Sequence, residues 1–342
     1  MAKRIEVGGS VGPYRILQQL GSGGAGDVFL AEHAESRDKV ALKTLRPGAE
    51  EIEDIHARFI REITVAQKLE SQYVVAYRDC GVDDGVLYYA MRYLPWGSLQ
   101  EVLAQRGVLT WQLAVECGID LAKGLDHFHS LGILHRDLKP ANIFLSEEGH
   151  LQLGDFGLAR DVASHRLTMS GTTVGTGKYL APEQARGERD IDGRVDLYQL
   201  GCNLYQYMVG RTPFAPADGE PPVDFMEMMR RHVQVEPPKL SDSVPHSPPE
   251  LSELVTELLA KNRDDRPADA KAVADRLQKI LDANVDASTD DSSDSVGQAS
   301  LTERLREGAV AREFSAQRLW VVCGVLLVVI SIAAVAAMTQ SG

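Results

Sequence analysis

His135-Arg136-Asp137-Leu138-Lys139-Pro140-Ala141-Asn142 is the stretch from which the rest of this 342-residue chain is read. Standing alone, the run is an ordinary charged surface loop whose turn Pro140 stiffens. Thirteen residues after Asn142 comes Asp155-Phe156-Gly157. Between them, an apolar Ile143 to Leu145, a turn at Glu148-Gly149 and an alternating Leu151 and Leu153 predict a β-hairpin. A hairpin returns Asp155 towards Asn142. Two oxygen-bearing side chains, those of Asn142 and Asp155, then come together. Upstream, Val40-Ala41-Leu42-Lys43 alternates into a strand that ends on Lys43. Glu62 lies on a helical stretch from Ala57 to Leu69, with Phe59, Ile63 and Ala66 as its apolar stripe. Downstream stands Ala181-Pro182-Glu183.

This ordered set, with the glycine-rich run from Gly21, resembles the eukaryotic-type serine/threonine protein kinase family over residues 14 to 281. The resemblance implies an α+β, bilobal protein kinase fold. A small, mainly antiparallel β N-lobe with one helix would occupy residues 14–94, and a larger, mainly helical C-lobe residues 95–281. In that family Asp137 accepts the proton of an attacking Ser or Thr hydroxyl, and Asn142 and Asp155 bind the metal on ATP. Lys139 offsets charge on the phosphoryl group in transfer. Lys43 holds the α and β phosphates and pairs with Glu62. The implied cofactors are ATP and Mg²⁺, with Mn²⁺ as an alternative.

The nucleotide would lie between the lobes, under Leu20, Gly21, Ser22, Gly23, Gly24, Ala25, Gly26 and Val28. Ala41, the gatekeeper Met91 and the hinge residue Tyr93 would border the adenine. Glycines bring backbone N–H groups close to anionic oxygens. A Gly-x-Gly-x-x-Gly run alone is weak, but here a strand follows it, where a dinucleotide-binding fold places a helix. Arg92 departs from the family, which usually has an acidic residue there. Thr168, Ser170, Thr172, Thr173 and Thr176 lie in the segment of an activation loop. Arg136 precedes the catalytic Asp, as in kinases whose loop phosphate pairs with that arginine. Thr172 or Thr173 is the expected self-phosphorylated switch, with Ser170 next, and Thr176 is expected to hydrogen-bond Asp137 and Lys139. Asp196 and Arg266 are scaffold in the family, Arg266 as the partner of Glu183. The family's arginine-directed members carry acidic residues near the positions of Ser98 and Ala141. Neither is acidic here, so strong arginine-directed specificity is not expected.

Composition narrows the partners. A formal net charge of −13 argues against nucleic acid, whose phosphates need basic surfaces. Four scattered cysteines have no paired spacing and suit a reducing compartment. Leu319 to Met338 is uncharged and contains eleven Leu, Ile or Val residues, so its insertion as a helix is favourable by roughly 3 to 7 kcal/mol. It is the expected transmembrane helix. Arg304, Arg306, Arg312 and Arg318 flank it on one side, which places the kinase domain in the cytoplasm and the C-terminus outside, at an inner or plasma membrane. Residues 282–318 read as a disordered acidic and Ser-rich juxtamembrane linker. The Pro182-to-Gly187 run and the tether resemble bacterial membrane-anchored kinases. Protein substrates, the bilayer and a homodimer for trans-autophosphorylation are the partners this implies. A membrane-tethered pseudokinase scaffold is the alternative, against which Lys43, Glu62, Asp137, Asn142 and Asp155 all stand intact. A small-molecule kinase is the third reading, opposed by the activation loop and Ala181-Pro182-Glu183.

Overall fold

A computed structural model of the chain describes residues 5–23, 26–45, 63–64, 67–68, 70–155, 176–216, 219–285 and 299–307. Among these, six strands form one antiparallel sheet: β1 (Ser10–Val11), β2 (Tyr14–Gly23), β3 (Gly26–His33), β4 (Lys39–Leu45), β5 (Tyr77–Asp83) and β6 (Val86–Arg92). Their order is β1-β2-β3-β4-β6-β5. Alternation in β4 and β6 divides two cores, because successive side chains of a strand point to opposite faces. Val40, Leu42, Tyr88 and Ala90 join Tyr14, Ile16 and Phe29 in an outer core. Ala41, Leu45, Leu87, Tyr89 and Met91 face the other way, into a core continuous with the helical half. Lys43 shares this second face, with Lys43 opposite Tyr89 and Ala41 opposite Met91. The strand period thus delivers Lys43 to the cleft.

The β5–β6 turn uses Asp84 (φ 47°) and Gly85 (φ 77°), two left-handed residues as a tight type I′ hairpin demands. Strand β5 begins only at Tyr77, although Val74 and Val75 before it have the composition of a strand. Val74 makes a parallel bridge to Leu153, and the Val75 N–H donates to the Leu153 carbonyl at 2.9 Å. These two residues stitch the halves of the molecule together and so cannot extend β5.

The helical half comprises α1 (Leu99–Arg106), α2 (Trp111–Ser130), α3 (Pro182–Ala185), α4 (Arg194–Val209), α5 (Phe225–Gln234), α6 (Leu240–Ser243), α7 (Pro249–Leu258) and α8 (Ala270–Val285). Thr110 caps α2, its hydroxyl oxygen accepting from the Leu113 N–H at 3.4 Å. Leu113, Cys117, Leu121, Leu125 and Phe128, three to four residues apart, are part of the buried face of that helix. The predicted hairpin is present as β7 (Ile143–Leu145) and β8 (Leu151–Leu153), with Gly149 at φ 94° in the turn.

Two boundaries differ from the sequence reading. Helix α8 runs to Val285 rather than ending at Leu281. Residues 301–307, assigned above to a disordered linker, form a further helix, α9, because Leu301 and Leu305 are one turn apart and both bury against the helical half. Among the described residues no helix is long and apolar enough to cross a membrane. The run Leu319–Met338 lies outside the described residues, as do Gly24, Ala25, Glu62, Thr168, Ser170, Thr172 and Thr173.

One buried histidine makes the helical half sensitive to acid. His232 on α5 is fully enclosed, its Nδ1 2.8 Å from the Tyr198 hydroxyl and its ring packed edge-on to Phe214. Burial, reinforced by the neighbouring Lys261 ammonium, pushes its pKa down to about 3. Between the free-histidine value of 6.5 and 3, the unfolded chain binds a proton that the folded chain refuses. Stability therefore falls as pH falls through that window, by up to about 1.4 kcal/mol per pH unit, and is untouched by this group above it. His232→Phe is expected to remove one proton's worth of that slope. Urea midpoints measured from pH 7 to 4 check this; an unchanged slope contradicts it.

Candidate active site

The loop carrying Asp137 is held from below. Asp196, wholly buried on α4, accepts from the backbone N–H groups of His135 (2.9 Å) and Arg136 (2.6 Å) and lies 2.8 Å from His129 Nε2. Burial pushes the Asp196 carboxyl up, but His129, His135 and these donors outweigh it and hold it below the usual carboxylate range. The brace sustains a left-handed Arg136, at φ 59°, a conformation costing of order 1–3 kcal/mol outside glycine. Gln199 adds a second anchor. It accepts from the Leu138 N–H at 2.8 Å and donates to the Arg136 carbonyl at 3.0 Å. Asn203 donates to the Leu138 carbonyl at 3.1 Å.

On this frame the chemical groups converge. Lys139 Nζ donates to Asp137 Oδ2 at 2.8 Å. Asn142 Nδ2 donates to the Asp137 carbonyl (2.9 Å) and to its Oδ2 (3.1 Å), and lies 3.5 Å from the Asp155 carbonyl. The hairpin has thus brought Asn142 and Asp155 together. Asp155 sits at φ 53°, and Lys43 Nζ reaches its Oδ2 at 3.0 Å from the opposite half of the molecule. The expected Lys43 partner, Glu62, lies outside the described residues; in this structure Lys43 pairs with Asp155. The Tyr89 hydroxyl donates to Asp155 Oδ1 at 2.6 Å. Burial, then the Asp155 charge, pushes the Tyr89 phenol well above its ordinary value, so it remains a donor. Burial would push the Asp155 carboxyl up as well, but the Lys43 ammonium and the two donors hold it below the usual range.

A cavity of about 420 Å³ opens beside these groups. Leu20, Gly21, Val28, Ala41, Met91, Tyr93 and Asp155 border it, as the sequence reading expected of them. Ser22, Lys43 and Asn142 do not line it. Ser22 instead donates to Asp27 at 2.6 Å. The hairpin over the cavity turns at Gly26, whose φ of 149° and position 1.8 Å short of the Thr44 carbonyl for any added Cβ exclude another residue. Thr176 opens a 3₁₀ turn ending at Tyr179, and its side chain lies outside the described residues. Ser98 and Ala141 also border the cavity, and Arg92 pairs with Glu148 at 2.5 Å. Sequence reasoning missed Tyr89, Val75, Trp96, Glu101 and Phe144. Alternation would have found two of them, since Tyr89 shares the face of Met91 and Phe144 points opposite to the buried Ile143 and Leu145.

Comparison with known proteins shows the family. The protein kinase domain family matches residues 14–278, and the chain belongs to that family. It is 33% identical over 282 residues to a probable serine/threonine-protein kinase of Clostridium perfringens, covering 82% of this chain and 40% of that protein. It is 35% identical over 266 residues to the serine/threonine-protein kinase PknJ of Mycobacterium tuberculosis, covering 77% of this chain and 44% of the relative. The chain therefore spans less than half the length of these curated relatives. The crystal structure of the Mycobacterium tuberculosis PknI kinase domain superimposes with a TM-score of 0.63 at 28% identity, covering 81% of this chain and all of that one. The family as a whole uses ATP and a divalent metal.

Proposed function

We propose that this chain is an ATP-dependent serine/threonine protein kinase, held at the cytoplasmic face of a membrane by the apolar run 319–338. The observation that carries the reading is the convergence of Asp137, Lys139, Asn142 and Lys43 around Asp155, which itself borders the nucleotide-sized cavity. The donor set fits a hard divalent ion: Asp155 offers carboxylate oxygens, and Asn142, whose amide nitrogen is committed to Asp137, offers its amide oxygen. When bound, the metal offsets charge on the nucleotide phosphates.

In this reading Asp137 orients the acceptor hydroxyl and takes its proton. Lys139, already beside Asp137, offsets charge on the transferring group, and Lys43 holds the phosphates. The acceptors are Ser and Thr of proteins, the chain's own Thr172 or Thr173 among them, with Arg136 as the partner of the resulting phosphate. Arginine-directed specificity is not expected, because Ser98 and Ala141 at the cavity rim carry no charge. Incubating the full chain with ATP and Mg²⁺, then mapping phosphate by mass spectrometry, tests the acceptor class. Phosphate on Ser and Thr between Thr168 and Thr176 is expected; an active enzyme unmodified there would refute the switch. Partition of the full chain, but not of residues 1–307, into membranes tests the anchor.

Tyr89 bears on the metal. Both Asp155 oxygens face protein donors, Lys43 on one and Tyr89 on the other, so a metal must compete with the tyrosine. A hydrogen bond to a charged group is worth about 1.5–3 kcal/mol. Tyr89→Phe is expected to lower the Mg²⁺ concentration for half-maximal turnover by about tenfold, with smaller change in the ATP requirement. A Mg²⁺ titration at saturating ATP reads it, and an unchanged or raised midpoint contradicts it.

A further inference from the structure

Helix α9 touches the helical half at four separate places. Ser300 packs against Gly149 in the β7–β8 turn, where an added Cβ would meet it at 2.8 Å. Leu301, Thr302 and Leu305 are buried. Arg304 forms a two-pronged ion pair with Glu116 on α2, and Arg106 at the end of α1 donates to the carbonyls of Arg304 (2.6 Å) and Leu305 (3.1 Å). The Arg306 guanidinium lies 4.1 Å from the centre of the Trp96 ring. The helix is also locally specified. Ser300 and Glu303 form a reciprocal cap: the Ser300 N–H donates to Glu303 at 2.8 Å, and the Glu303 N–H donates to the Ser300 hydroxyl oxygen at 3.3 Å.

Trp96 is the link to the site. It borders the nucleotide cavity directly after the hinge, and the carbonyl of the next residue, Gly97, accepts from the Leu145 N–H at 3.0 Å. No residue of 299–307 borders the cavity, so the segment does not compete with a ligand there. The Arg306 charge instead rests on the ring of Trp96, a residue that lines the cavity. We propose that residues 299–307 are a docking strap, seated in cis on Glu116, Arg106 and Trp96, that pre-orders the hinge and tightens nucleotide binding. Pre-ordering strengthens binding by removing an ordering cost that a ligand would otherwise meet. In sequence the strap lies between α8 and the apolar run 319–338.

The inference rests on the nucleotide reading of the cavity, and the experiment separates the two. Full-length protein would be compared as wild type, Arg306→Ala, Arg304→Glu, and the charge exchange Arg304→Glu with Glu116→Arg. Two quantities would be measured: the Kd of ATP with Mg²⁺, and hydrogen exchange over 94–98 and 301–307. Arg306→Ala and Arg304→Glu are expected to weaken ATP binding about three- to tenfold and to raise exchange at both segments, with the charge exchange restoring both. Wild type that binds ATP, beside variants with unchanged Kd, overturns the coupling even if exchange at 301–307 rises. Variants that lose Kd without rescue in the charge exchange also overturn it, since the pair would not be the cause. Wild type that binds no ATP would instead fell the nucleotide reading, and the proposed coupling with it, while exchange over 301–307 would still report whether the strap is docked.

Discussion

Asp137→Asn is expected to lower phosphoryl transfer by about 10²- to 10⁴-fold while leaving ATP binding nearly intact. The substitution keeps the shape of the side chain but removes the proton acceptor. The surrounding geometry makes this a clean experiment. The loop is fixed through its backbone by Asp196, Gln199 and Asn203, none of which depends on the Asp137 carboxylate. Asp137 meets Lys139 and Asn142 through its side chain, at 2.8 and 3.1 Å, and an amide in its place keeps one acceptor oxygen for them. The loss should therefore appear in kcat and not in melting temperature. A variant with kcat within a few-fold of wild type would remove Asp137 from the chemistry.

The second large effect is on folding. Arg266 and Glu183 form a two-pronged pair at 2.7 and 2.8 Å, with side chains 0% and 4% exposed. Arg266 also donates to the carbonyls of Ala260 (3.0 Å) and Arg194 (2.9 Å) and stacks over Tyr198. Arg266→Ala strands a buried carboxylate together with two carbonyls. Removing one partner of such a pair costs about 3–5 kcal/mol, a large share of the roughly 5–15 kcal/mol a domain holds in reserve. Loss of the charge on both sides, as in Arg266→Met with Glu183→Leu, should cost clearly less than the two single changes added together, because neither charge is then left alone. Chemical denaturation of the four proteins measures it. Additive single effects would show that the pair is not coupled.

Much of the frame was legible because local rules and long-range position coincide. Thr110 as a cap, the three-to-four spacing of α2 and the turn at Glu148-Gly149 each state their structure in a few neighbouring residues. The convergence of Asn142 with Asp155 follows from one short hairpin, so it too could be read from the chain. Other features depend on neighbours far away in sequence. Val74 and Val75 have the composition of a strand, yet their backbone groups are taken by Leu153. Helix α9 carries only Leu301 and Leu305 as apolar anchors beside an acidic, Ser-rich stretch, and what seats it is Glu116 and Arg106, almost two hundred positions away. Its one local signal was the Ser300-to-Glu303 cap. The Lys43–Asp155 contact and the Tyr89 hydrogen bond join the two halves of the molecule, and no local pattern reports on the closure that makes them. The Trp96 contact is of the same kind, because the arginine that stacks on it lies more than two hundred positions away.

If Asp137, Lys139, Asn142, Asp155 and Lys43 form a phosphotransferase centre, the chain moves the γ-phosphate of ATP to protein hydroxyls. Transfer of labelled γ-phosphate from ATP with Mg²⁺ to a generic acceptor protein, by the full-length chain, tests it most directly when run beside Lys43→Met and Asp155→Asn. Label on Ser and Thr is expected with wild type, and its near-complete loss in both variants. Wild type that binds ATP at the cavity yet transfers no label to any protein, itself included, would contradict it.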